Sequence, residues 1–141
     1  MQDECSLVAR FLRAEIDNTT FRHVDHLRVG YELLDRYDFT TAAHIFSSTL
    51  RAIAARAGRP EAFHHTITIA FLSLIAERRL DRPTSDVEDF LDLNTDLQDK
   101  AILHNWYAPE RLNSEAARST FLLPTAGART PTLLPSKIKP A

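Results

Sequence analysis

The sequence predicts an all-α fold: a single compact bundle of about five helices with an extended C-terminal tail. Three observations carry that expectation. Apolar residues recur at spacings of three and four through most of the first 106 residues, β-branched alternation is nearly absent, and only three glycines occur, at positions 30, 58 and 127. With 141 residues, 44% of them hydrophobic and 26% charged, the chain has the balance of one globular domain around one core.

The first helix is expected over roughly residues 3–17, with Leu7, Phe11 and Ala14 on one side, and "DNTT" at 17–20 supplies a stop followed by a cap. The second runs from about 20 to 37. It is apolar over much of its circumference through Val24, Leu27, Tyr31 and Leu34, which marks it as central. The third, near 39–57, places Ala42, Ile45, Phe46, Leu50 and Ile53 on one stripe and ends at Gly58, the residue best suited to a left-handed cap. Pro60 suits the first turn of the fourth helix, where its missing N–H costs nothing, and Glu61 sits at the positive end of the dipole. That helix is expected to reach Arg79 or Leu80.

"RPTSDVEDFLDLN" reads as a loop, a cap at Thr84 or Ser85 and a short acidic helix, and "DLQDKAILHNWY" as a second short helix after Asn94. In "YAPERLNSEAARSTFLLP", Pro109 breaks the helix, Ser114 caps a short one with Glu115 in its first turn, and residues 121–123 fold back onto the core. The helical domain therefore spans 1–123. Residues 124–141, with four prolines and little periodicity, suit a flexible tail.

A formal charge of -2 gives no overall attraction to nucleic acid or to an anionic membrane, so neither is an expected partner. The charge is uneven, however. Residues 81–99 hold seven acids and one base, and residues 111–141 hold five bases and one acid. A solvated acidic face with a basic tail explains this, as does a tail docked on that face, its own or a neighbour's. Cys5 is the only cysteine, which excludes an intrachain disulfide and a thiolate metal cluster. Asp3 and Glu4 stand where a signal peptide would carry bases, and no apolar run approaches the roughly 18 residues of a membrane span. A cytoplasmic, unprocessed protein is expected.

Candidate chemistry centres on two histidine pairs. His23 and His26 in "FRHVDHLRVGYELL" are three apart on the central helix and face one way, as a metal-binding or proton-relay pair requires, with Gly30 one turn further on. His64 and His65 in "FHHTITIAFLSLIAE" are rotated by about 100° from each other. His64, on the side of Ile67, Thr68 and Phe71, is the one expected to join His23 and His26. Three neutral imidazoles with an open fourth position are a familiar catalytic metal arrangement. Without metal, a buried neutral imidazole can act as a general base, with Tyr31, Tyr37 or Tyr107 as a proton donor. His44 and His104 read as ordinary boundary residues. Motifs for a serine hydrolase, a phosphate loop, H-E-x-x-H and C-x-x-C are missing from the sequence.

Taken in order, "FRHVDHLRVGYELL", "FHHTITIAFLSLIAE" and "NWYAPERLNSEAARSTFLLP" resemble an uncharacterised family of small bacterial all-helical proteins. Its members read F-x-H-x-x-H-L-R-V-A, then Y-H-E-T-I-T, then Y-S-P-E-R-L-x-S-x-x-A-R and F-x-x-P. The resemblance spans about residues 21–124 and implies that His23, His26, Arg28, His64, Thr66, Thr68, Arg111 and Arg118 share a neighbourhood. It implies no activity. The family's glutamate is His65 here, which either swaps one ligand type for another or removes the chemistry.

The leading expectation is a small metal-dependent enzyme acting on a small organic substrate, by lyase, hydrolase or oxygenase chemistry. His23, His26 and His64 would bind a transition metal ion (Zn, Fe or Cu), and His65 would serve as fourth ligand or base. Tyr107 would act at the reacting centre, with Trp106 beside it as a wall, and Arg111 or Arg118 would hold an anionic substrate at the mouth. The alternative is a non-catalytic helical binding or accessory protein with structural histidines. Haem held by one histidine is a third reading. Helix one is also a candidate for homodimer pairing.

Overall fold

The computed structural model describes residues 6–125, which form helices joined by turns and loops, with no strand among them. Seven α-helices are labelled here in chain order: α1 Leu7–Leu12, α2 His23–Arg36, α3 Phe39–Arg56, α4 His65–Asp81, α5 Val87–Leu93, α6 Pro109–Leu112 and α7 Glu115–Ser119. Short 3-10 turns at Pro60–Ala62, Thr95–Gln98 and Lys100–Asn105 connect them. Among the described residues no helix is long and apolar enough to cross a membrane. The start of the first expected helix and all but two residues of the expected tail lie outside the described residues.

α2 is central, as its two-sided apolar pattern requires, and packs against α1, α3, α4, α5 and the Thr95–Gln98 turn. Leu27, Val29 and Leu33 of α2, Leu72 and Ile75 of α4, and Phe90 of α5 are all but sealed from solvent. Gly30 lets α4 come close: a Cβ there would lie 2.9 Å from Ile75 Cδ1 and 3.3 Å from Leu72 Cδ1. Each full leucine or isoleucine burial of this kind contributes roughly 1.5–3 kcal/mol.

Two boundaries differ from expectation, each for a local reason. α1 ends at Leu12 rather than near 17 because Ala14 takes a left-handed conformation (φ 56). The amides of Ala14 and Glu15 then bond back to Phe11 (2.8 Å) and Arg10 (2.9 Å), a Schellman closure, and Arg56 donates to the Ala14 carbonyl. Gly58 (φ 76) closes α3 in the same way, through Gly58 N–H to Ala55 (3.0 Å) and Arg59 N–H to Ala54 (2.9 Å), as its sequence position predicts. The fourth helix does not start at Pro60. Pro60–Ala62 forms a separate 3-10 turn, and α4 begins five residues later, at His65.

The acidic segment is only partly a solvated face. Asp86, not Thr84 or Ser85, caps α5, accepting from the Asp89 amide at 3.0 Å. Glu88 pairs with Arg28 of α2, and Asp96 receives two 2.9 Å bonds from Arg78 of α4. The Arg78 guanidinium holds the Asp96 carboxyl below its ordinary value. These pairs are half-exposed, so their value lies in fixing where the segment docks more than in stability.

Candidate functional site

A cavity of about 490 Å3 opens between α2, α3 and α4. Its apolar wall comes from Phe21, just ahead of α2, and from Phe46, Ile53, Ile67, Phe71 and Ile75, side chains that the helical periodicity already turns inward. Its polar margin is formed by His23, His26, His64, Asn18, Arg22 and Lys100. No Asp or Glu lines it.

His23 and His26 sit on the first turn of α2 and share a side, with ring centroids 6.5 Å apart. His23 Nε2–H donates to the Leu97 carbonyl at 2.9 Å, which ties the Thr95–Gln98 turn to α2, and its ring meets Phe71 edge-on at 4.8 Å. Nδ1 is left as an acceptor. His26 Nδ1–H donates to the Arg22 carbonyl at 3.1 Å, and its ring lies 4.3 Å from that of Phe21. Nε2 of His26 has no hydrogen-bond partner among the described residues. Among the described residues no buried side-chain nitrogen or oxygen is left unpaired, so that atom keeps some exposure, and the His26 side chain belongs to the cavity lining. Burial lowers the His26 pKa to about 4, with the charges of His23 and Lys100 adding to the effect, so the ring is a neutral acceptor near pH 7. Burial also lowers His23, against the opposing bond to Leu97.

His64 does not complete a triad with them. It is the N-cap of α4: Nδ1 accepts the Ile67 amide at 3.1 Å and Nε2–H donates to the Leu112 carbonyl at 2.8 Å. Both ring nitrogens are committed. Among the described residues no three His, Cys, Asp or Glu side chains are grouped to hold a metal ion. α4 starts after His64, so the one-face geometry of a continuous helix does not apply to this residue.

His65, Tyr107 and Arg111 gather at a second place, away from the cavity lining. His65 Nδ1–H donates to the Arg118 carbonyl at 2.8 Å, and Thr66 Oγ1 donates to Thr120 (2.9 Å) while accepting the Leu122 amide (3.0 Å). Tyr107 OH donates to Leu122 at 2.7 Å, and Arg111 makes two bonds, 3.0 and 2.8 Å, to the Leu123 carbonyl. Arg118 donates to the Glu61 carbonyl at 2.7 Å. The second and third sequence motifs are thus two sides of one clamp that fastens the chain from Leu112 to Leu123 onto the start of α4. The clamp holds backbone, and Phe121 and Leu123 keep their side chains exposed rather than folded onto the core. Trp106, expected as a cavity wall, is also exposed and does not line the cavity. His44 and His104 are exposed, in keeping with ordinary boundary roles.

Sequence reasoning missed Asn18, Arg22, Lys100 and Phe63 at the cavity. All four lie outside the α-helices, in segments without periodicity, so only tertiary contact brings them there. No protein-family model, no curated protein and no solved structure matches the chain.

Proposed function

We propose that the chain binds a small organic molecule in the cavity between α2, α3 and α4, seating its apolar body among the phenylalanine and isoleucine side chains and its polar end against His26 and His23. The observation that carries this reading is a cavity with an apolar wall whose polar margin includes the neutral ring of His26, with no partner for its Nε2 among the described residues. A volume of about 490 Å3 lies within the usual range for small-molecule sites, roughly 300–1,000 Å3. With its pKa near 4, His26 serves as a neutral hydrogen-bond acceptor rather than a base near pH 7, its ring held in place by the Nδ1–H bond to Arg22.

The metal-dependent form of the reading is narrowed by His64. With both its nitrogens bonded to backbone, an ion would rest on His23 and His26 plus groups of the ligand or solvent. The direct test is a fragment screen on 15N-histidine-labelled full-length protein. Ligands are expected to move the His26 resonances and to lose binding in Ala54→Leu, which fills the cavity from α3. Hits that ignore that substitution would reject the cavity as the site. Metal content near one atom per chain, lost in His26→Ala, would favour the metal-dependent form.

A further inference from the structure

The margin of the cavity is one-sided in charge. Arg22 precedes α2 and Lys100 begins the last 3-10 turn, and both reach the cavity lining beside the two imidazoles. Lys100 is carried there by two contacts: His23 Nε2–H on the Leu97 carbonyl (2.9 Å), and Asp99 capping the Lys100–Asn105 turn through the Ala101 amide (2.9 Å). Its charge acts on both His23 and His26. Neither Arg22 nor Lys100 belongs to an ion pair among the described residues. The two carboxylates that act on the imidazoles are turned to backbone: Asp25 accepts the Arg22 amide (3.0 Å) and Asp99 the Ala101 amide, and neither lines the cavity.

Two cations on the lining with no ion-pair partner among the described residues, and no carboxylate beside them there, are poorly matched to an amine and well matched to an anion; the neutral imidazoles add no donor to this. We infer that the ligand is an organic carboxylate with an apolar body, its head between Lys100 and Arg22 and its body against Phe71 and Ile75. This rests on the reading of the cavity as a ligand site. A carboxylate so placed is held by charge-assisted hydrogen bonds, and its tail needs no polar partner.

The test is calorimetry on the full chain with three probes of one body: phenylbutanoate, phenylbutanol and phenylbutylamine. The carboxylate is expected to bind at least about tenfold more tightly than the alcohol, with the amine weakest. Lys100→Gln, an exposed substitution that leaves the core intact, should bring carboxylate and alcohol to parity, and raised salt should narrow the same gap. Equal binding of all three probes, reduced alike by Ala54→Leu, would overturn the anion inference and leave the cavity reading standing. No binding of any probe, together with a fragment screen that finds nothing at His26, would overturn both.

Discussion

The two histidine pairs look alike in the sequence and are opposite in the structure. His64 and His65 spend their hydrogen-bonding capacity on the protein: three of their four ring nitrogens hold backbone, at Ile67, Leu112 and Arg118. His23 and His26 each spend one nitrogen and keep one. His64 has no nitrogen to spare and His65 lies off the cavity lining, so what marks out His23 and His26 is an uncommitted nitrogen together with a place on that lining. The clamp pair should therefore answer to stability measurements and the cavity pair to ligand and pH.

The largest effect is expected at His64. His64→Ala removes the cap of α4 and leaves the Leu112 carbonyl without its donor, a combined loss of about 2–4 kcal/mol by urea denaturation. His64→Ser should recover part of it. Serine restores an N-cap acceptor like Ser6 and Ser114, which accept the Ala9 and Ala117 amides at 3.1 Å, but cannot reach Leu112. Thr66→Val, which unpairs Thr120 and Leu122 at once, should fall in the same range. If His64→Ala were as stable as the parent, the contrast between the pairs would collapse.

Next comes pH. The His26 value falls from an ordinary 6.5 to about 4 in the folded chain, so the unfolded chain takes up the proton first as pH drops. Stability is full above pH 6.5 and is lost as pH falls from there toward 4, by roughly 3 kcal/mol from this one ring. His23 and His64 are shifted the same way, again chiefly by burial, and steepen the decline. For His64 protonation also ends the acceptance of the Ile67 amide. His26→Leu should flatten the curve of stability against pH in that window while changing stability at pH 8 by less than about 1.5 kcal/mol, since the ring's one bond is to a carbonyl near the chain surface. A curve unchanged by the substitution would mean that His26 titrates normally and is no neutral acceptor at the cavity.

How far the sequence reaches follows from these same residues. The all-α class, the central α2 and the inward stripes of α3 and α4 are legible because burial imposes the 3.6-residue period directly on residue choice. Gly58 is legible because a left-handed cap favours glycine; Ala14 makes the same closure and leaves no such mark, so the end of α1 is invisible. Pro60 is a true helix-start signal answered by a 3-10 turn, while the real cap of α4 is a histidine, outside the usual Ser, Thr, Asp and Asn set. The His23 and His26 face could be read because spacing of three survives translation into structure. Arg22 and Lys100 could not, since nothing local in a turn records what it will be packed beside.

The smallest effect on stability, and the sharpest on the cavity, is expected at Gly30. A methyl group there would press on Ile75 Cδ1 at 2.9 Å, and Ile75 is sealed on the core side and borders the cavity on the other. The isoleucine end is expected to shift toward the open space on its cavity side. Gly30→Ala gains up to about 1 kcal/mol of helix propensity and loses a similar amount to repacking, so denaturation should place it within about 1 kcal/mol of the parent. The displaced methyl takes volume from the cavity, and ligands found in the fragment screen should weaken by about tenfold or more, as a steric conflict of roughly 1.4 kcal/mol implies. The same substitution leaves the clamp at His64 and His65 untouched. An affinity loss with unchanged stability would locate the ligand against Ile75, and an equal change in both would show that Gly30 serves only the packing of α2 on α4.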